Sequence, residues 1–73
     1  MKDYYKVGNS IKNQLRALGY NITMKIRLSW VTYYIDGDFL FCTDLQILSP
    51  ETTKEIILEI LKEKSNVYPH SKN

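Results

Sequence analysis

Apolar and polar residues alternate strictly from residue 22 to residue 30. The apolar positions are Ile22, Met24, Ile26, Leu28 and Trp30, and the positions between them hold Thr23, Lys25, Arg27 and Ser29. A period of two is typical of a β-strand with one buried and one wet face. From Val31 the apolar positions change phase, which predicts a bulge or sharp bend near Ser29 and Trp30. Residues 22–35 therefore form either two strands or one strongly coiled strand.

The dipeptide Asp36-Gly37 predicts a β-hairpin, because it separates two apolar runs. It favours a two-residue turn in which both central residues have a positive φ. That register pairs Tyr34 with Phe39, Tyr33 with Leu40, Thr32 with Phe41 and Val31 with Cys42. One face of the sheet would then carry Val31, Tyr33, Leu40 and Cys42, and the other would carry Trp30, Tyr34, Phe39 and Phe41.

A short helix is predicted before the strands, capped by Asn9 or Ser10 and running to Leu18. Its apolar residues Ile11, Leu15 and Leu18 recur on one face. Gly19 follows, at a position where helices commonly end in a left-handed conformation. This helix is too short to be stable alone, so it must pack on the sheet.

The start of the second helix is marked by Ser49-Pro50-Glu51, with serine as the cap and proline at the first helical position. Its predicted buried stripe is Thr53, Ile56, Ile57, Ile60 and Leu61. Leu58 is predicted to point away from that stripe. Residues 65–73, which include Pro69, are interpreted as a flexible tail.

These elements predict a single α+β domain at residues 1–64, with the order α-β-β(-β)-α and an antiparallel sheet. Both helices are expected on one face, which leaves the other face open. The order of elements over residues 9–64 resembles that of double-stranded-RNA-binding domains and of small RNA-cleaving toxins. It is also similar to that of small phage proteins that inhibit bacterial defence enzymes. The likeness lies in the order of elements alone. The RNA-binding domains have a Lys-rich start to the last helix, which here begins Pro50-Glu51-Thr52-Thr53, and the toxins use a histidine on a central strand, whereas no histidine lies between Ile22 and Asp44.

Composition narrows the class of protein. The chain has 73 residues, a formal net charge of +2 and 44 % hydrophobic residues, as expected of a globular domain. Its single cysteine, Cys42, excludes a disulfide within the chain and indicates a cytoplasmic location. We interpret Cys42 as a small core residue. No signal peptide and no membrane-spanning segment are expected.

The aromatic face has two interpretations. Trp30, Tyr34, Phe39 and Phe41 are expected to be core or interface residues, because aromatic residues in strands usually serve packing. Alternatively, the same rings stack on nucleobases while Lys12, Arg16, Lys25 and Arg27 bind phosphates. Six of the ten Lys and Arg residues fall in the first 30 positions, which permits the second interpretation.

Acidic residues offer a further candidate surface. Glu51, Glu55, Glu59 and Glu63 recur every four residues along the second helix, as a docking stripe for a basic partner or as a solvated helix face. Asp36, Asp38 and Asp44 are turn and strand-end residues and do not predict a metal site. Cys42 and the only histidine, His70, do not predict a catalytic pair. No catalytic residue, metal or cofactor is therefore expected.

The sequence favours a small non-enzymatic protein–protein interaction module that self-associates through the aromatic face, or that binds another protein there. A phage or mobile-element accessory or inhibitor protein would fit this description. The alternative is a nucleic-acid-binding protein that uses the basic residues and the same rings. The charge pattern, with basic residues early and acidic residues late, is compatible with both hypotheses.

Overall fold

The chain forms a helix, then a three-stranded antiparallel sheet, then a second helix. The computed structural model describes the backbone of residues 3–67 and the side chains of residues 3–64. Helix α1 spans Tyr4–Ala17, strands β1, β2 and β3 span Ile22–Arg27, Trp30–Ile35 and Asp38–Asp44, and helix α2 spans Pro50–Val67. The strands pair in the order β1-β2-β3. The predicted α+β class and element order are confirmed.

Helix α1 begins earlier than the sequence pattern predicted. Asp3 is its N-cap, and the Asp3 side chain accepts a hydrogen bond of 3.1 Å from the backbone N–H of Lys6. The predicted start at Asn9 or Ser10 is therefore wrong by more than one turn. The predicted end is confirmed: Gly19 has φ +103°, and its N–H donates to the carbonyl of Arg16. Together with the bond from Tyr20 N–H to the Leu15 carbonyl, this forms a Schellman motif.

Gly8 lies inside α1, at a point where the helix packs against the sheet. A Cβ atom at this position would lie 3.4 Å from Met24 Sδ and 3.4 Å from Val31 Cγ2. The Gly8 carbonyl also accepts a hydrogen bond of 2.8 Å from the hydroxyl of Tyr33, a fully buried side chain of β2. Gly8 disfavours a helix by its sequence, and it is a point where α1 contacts the sheet.

Two tight turns connect the strands. The phase change near Ser29 corresponds to a reversal of the chain at Leu28-Ser29, so residues 22–35 form two strands. Leu28 has φ +57°, which is unusual for a branched apolar residue. At the second turn, Asp36 and Gly37 have φ +52° and +85°, as predicted for a hairpin of this type.

A bulge in β3 changes the predicted register. Tyr34 pairs with Phe39 as expected, but Tyr33 pairs with Phe41 and Thr32 pairs with Cys42. Leu40 is the extra residue, and it is buried. The predicted pairs beyond Phe39 are therefore wrong by one residue, because a bulge moves every later side chain to the opposite face.

Both helices pack on one face of the sheet, as predicted. The buried apolar residues come from all five elements and the loop after β3, and they are Ile11, Leu15, Ile22, Val31, Tyr33, Leu40, Leu45, Ile57 and Leu61. Fully buried Thr53 completes the inner face of α2. Leu58 is partly buried against this core, so the prediction that it points away is wrong.

The sequence predicted the start of α2 correctly but not its end. Its start is confirmed, because Ser49 Oγ accepts a hydrogen bond of 3.1 Å from the backbone N–H of Thr52. The helix continues to Val67, into the residues that the sequence assigned to a tail, and residues 68–73 lie outside the described part. Among the described helices, none combines the length and the apolar character that a membrane crossing needs.

Candidate functional site

The face of the sheet opposite the helices carries three aromatic side chains that neither helix covers. Trp30 is 52 % exposed and Phe39 is 61 % exposed, and Tyr34 is partly exposed. Tyr34 and Phe39 are directly paired across β2 and β3, whereas Trp30 lies four residues from Tyr34 along β2, about 13 Å away. We call this surface the open face.

Phe41 does not belong to the open face. It pairs with Tyr33, whose side chain is fully buried beneath the helices, and Phe41 itself packs against the core. The bulge at Leu40 is the cause, because it turns Phe41 inward together with Leu40. Of the four predicted anchors, the structure therefore places Trp30, Tyr34 and Phe39 on one surface and Phe41 on the other.

The four basic residues divide between the two sides of the sheet. Lys25 and Arg27 are exposed on β1, at positions that alternate with inward-facing Met24 and Ile26, so they lie on the open face. The Lys25 ammonium lies 5.8 Å from the centroid of the Tyr34 ring, within range of a cation–π interaction.

Lys12 and Arg16 belong to α1, on the covered side of the sheet. The Arg16 guanidinium donates a hydrogen bond of 2.8 Å from Nη1 to the carbonyl of Ile22 and so links the helix to the start of β1. The four cations consequently do not form one continuous patch.

Two residues of the open face were missed by the sequence reasoning. Cys42 was interpreted as a core residue, but its side chain is exposed, and its Sγ accepts a hydrogen bond of 3.3 Å from the Thr32 hydroxyl. Asp44 pairs with Trp30 at the end of β3, and its Oδ1 accepts a hydrogen bond from the backbone N–H of Gln46. Only the bulge brings both to this face, so no local signal in the sequence could have revealed them.

Exposed aliphatic residues lie beyond the Trp30 end of the sheet. Leu28, in the first turn, is 85 % exposed, and Ile47, in the loop before α2, is 80 % exposed. The turn is joined to that loop by a hydrogen bond from Leu45 N–H to the Ser29 carbonyl and by another from Gln46 Nε2 to Ser29 Oγ. These contacts hold the turn and the loop together at one end of the open face.

The acidic stripe lies on the outer surface of α2, where Glu51, Glu55, Glu59 and Glu63 are all exposed. Beside its first member, an open groove of about 430 Å³ separates α1 from the start of α2. Lys54 bridges the two helices there through a hydrogen bond of 2.7 Å from its Nζ to Gln14 Oε1.

Within residues 3–67, no three His, Cys, Asp or Glu side chains are grouped in a way that could hold a metal ion, and His70 lies outside the described residues. Burial raises the pKa of the Tyr33 hydroxyl well above its ordinary value of 10.0, which keeps this group neutral in the core. The open face, with its three rings, two cations and one carboxylate, is the candidate site.

No family model, curated protein or solved structure matches the chain.

Proposed function

We propose that this protein is a non-enzymatic interaction module that self-associates through the open face of its sheet. The observation that carries this proposal is the exposure of Trp30 and Phe39, on a face that neither α1 nor α2 covers. Large aromatic side chains contribute most of the binding energy of typical protein interfaces. A sheet face with exposed apolar side chains is also the kind of surface that a second sheet covers in a β-sandwich.

The energetics support self-association. Full burial of a large apolar side chain contributes about 1.5–3 kcal/mol, so covering the exposed halves of Trp30 and Phe39 contributes about half of that for each ring. A chain of 73 residues has a small core and little stability to spare. Association would therefore stabilise the folded state by mass action as well as bind the two copies together.

Neighbouring phenylalanines on opposite faces of β3 provide a matched test. Phe39→Ala removes an exposed ring of the open face, so we expect weaker self-association with little loss of monomer stability. Phe41→Ala removes a ring that packs on the core, so we expect lower stability. Sedimentation velocity from low micromolar to submillimolar concentration measures association, and thermal unfolding of dilute samples measures stability. A wild-type protein that stays monomeric at every concentration would refute the proposal.

A nucleic-acid-binding role is the second candidate, and the position of Lys25 and Arg27 beside the three rings favours it. Cations that hold phosphates next to rings that stack on bases are the usual features of single-strand binding. Fluorescence anisotropy with short labelled DNA and RNA at low and physiological salt tests this role. Micromolar binding that weakens steeply with salt and disappears in the Lys25→Glu/Arg27→Glu variant is the expected signature. Flat titrations would exclude it.

A cytoplasmic setting is part of the first proposal. The support is the exposed thiol of Cys42, which is the only cysteine of the chain. A reducing compartment keeps such a thiol free, whereas an oxidising one promotes disulfides between molecules. Dimers that form only under oxidising conditions would count against self-association through the aromatic rings, so the sedimentation experiment should be done with and without a reductant.

A further inference from the structure

The backbone register arranges the open face in three rows that run across the strands. From one end of the sheet to the other, the rows are Arg27–Trp30–Asp44, Lys25–Thr32–Cys42 and Thr23–Tyr34–Phe39. The first row has a cation on β1 and a carboxylate on β3, with their backbones two strands and about 10 Å apart. The rings of Trp30 and Tyr34 lie on the central strand between these edges.

We propose that the occupant of the open face is a second copy of this chain, related by a two-fold axis parallel to β2. This inference rests on the proposed function and specifies its geometry. Rotation about such an axis places β1 of one copy over β3 of the other and keeps the rows at the same level. Arg27 then faces the partner's Asp44, and because the contact is isologous, the same ion pair forms twice.

The charge pattern favours this axis over a two-fold axis that runs across the strands through the middle row. A two-fold axis that lies in the plane of the sheet but runs across the strands would place β1 over β1. Lys25 would then face the partner's Lys25, and Arg27 would face the partner's Thr23, so like charges would meet at the centre of β1. Like-charge contacts of this kind cost several kcal/mol at an interface. The first axis avoids them and also places Trp30 against the partner's Trp30.

The same carboxylate argues against nucleic acid as the occupant. Asp44 and Arg27 flank Trp30 in one row, so the carboxylate offsets the attraction of the guanidinium for a phosphate of a strand stacked on Trp30. In the symmetric pair, this charge is instead opposite a guanidinium. The ion pairs between the two copies and the effect of Asp44 on phosphates therefore both favour a second copy as the occupant.

The area of the open face predicts a weak dimer. Three strands of six or seven residues cover roughly 15 Å by 20 Å, well below the ~800 Å² per partner of a standard interface, even when side-chain relief is added. Sheets that pack face to face lie ~10 Å apart, a gap that two layers of aromatic side chains fill. We therefore expect a weak dimer that is populated only at high protein concentration.

Charge exchange tests the arrangement directly. Arg27→Glu alone places a new carboxylate opposite the partner's Asp44, and Asp44→Lys alone places a new ammonium opposite the partner's Arg27. Each like-charge contact forms twice in the symmetric pair, so each variant should raise the dimer dissociation constant by about tenfold or more. In an equimolar mixture, the heterodimer regains one ion pair between the two introduced side chains and keeps one between Arg27 and Asp44. We expect each variant to be monomeric alone and the mixture to dimerise like the wild type.

Two readouts make the result unambiguous. Sedimentation velocity gives the masses, and the emission of Trp30, the only tryptophan, should shift to the blue as the dimer forms. Because Asp44→Lys also removes the hydrogen bond to Gln46 N–H, Asp44→Asn is the control: it keeps an acceptor oxygen and removes only the charge. Circular dichroism verifies that each variant is folded.

The remaining outcomes contradict either the proposed axis or the proposed function. If both single variants dimerise like the wild type, the proposed axis is wrong and self-association through the rings survives. If the variants are monomeric and their mixture is too, the axis is also wrong. A wild-type protein that is monomeric throughout overturns the proposed function itself, and salt-dependent binding of oligonucleotides by that monomer would assign the open face to nucleic acid.

Discussion

The hydrogen bond between Tyr33 and Gly8 gives the sharpest test of how α1 is attached to the sheet. The Tyr33 hydroxyl is buried and donates to the Gly8 carbonyl at 2.8 Å. Tyr33→Phe deletes this bond and preserves the ring. The carbonyl keeps its partner within the helix, so no buried acceptor is left unsatisfied. We expect a loss of about 1 kcal/mol at neutral pH, within the usual 0.5–1.5 kcal/mol, which lowers the melting temperature by about 4–8 °C.

The same substitution changes the pH dependence of stability. Below pH 10 the tyrosine is neutral in the folded and the unfolded chain, so its full contribution is present. Above its ordinary pKa of 10.0 the unfolded chain releases the proton, whereas burial raises the pKa in the folded protein. Stability therefore falls as the pH rises, and at pH 11 this one group costs the wild type about 1.4 kcal/mol. Tyr33→Phe lacks this loss, so the two proteins should become equally stable between pH 10 and pH 11.

Urea unfolding monitored by circular dichroism, at several pH values from 7 to 11, measures both effects. Tyr5→Phe is the matched control, because it removes the hydroxyl of a tyrosine that is 59 % exposed on α1 and lies outside the core. Equal stability of Tyr33→Phe and the wild type at pH 7 would refute the energetic argument. Parallel curves up to pH 11 would show that the folded protein does not hold this proton more tightly.

Three further substitutions test individual backbone positions by urea unfolding. Gly8→Ala should raise the free energy of unfolding by up to about 1 kcal/mol, because alanine favours the helix and its Cβ meets neighbours at ordinary contact distance, whereas Gly8→Leu should destabilise the protein. Leu28→Asn should stabilise the first turn by about 0.5–1 kcal/mol, since asparagine tolerates a positive φ, and Ile47→Asn, at an equally exposed position, should show no such gain. Ser49→Ala should cost about 1 kcal/mol through the lost cap of α2, and Ser49→Asp should restore most of it; equal stabilities of these two variants would contradict the role of the cap.

Several turns and helix ends could be predicted from one or two residues each. Ser49-Pro50 marked the start of α2, Asp36-Gly37 marked the hairpin, and Gly19 marked the end of α1, because each depends on the φ preference or the hydrogen-bonding group of one or two residues. The alternation from Ile22 likewise predicted which residues of β1 face the helices. Predictions of this kind need no knowledge of the rest of the chain.

Errors arose where a distant contact outweighed a local preference. Gly8 disfavours a helix in isolation, yet α1 passes through it because Ile11 and Leu15 pack in the core and the Tyr33 hydroxyl binds the Gly8 carbonyl. Leu28 disfavours a tight turn, yet the chain reverses at that residue, where Ser29 is held by the loop before α2.

The sequence by itself determined the order of helices and strands, the hairpin and the presence of an aromatic face. The tertiary structure alone decided which residues form that face, because it depends on the bulge at Leu40. Pairing has a period of two, so one extra residue moved Phe41 into the core and brought Cys42 and Asp44 out. No periodicity in the sequence marks the bulge, since its stabilisation comes from packing Leu40 and Phe41 together beneath helices that lie elsewhere in the chain.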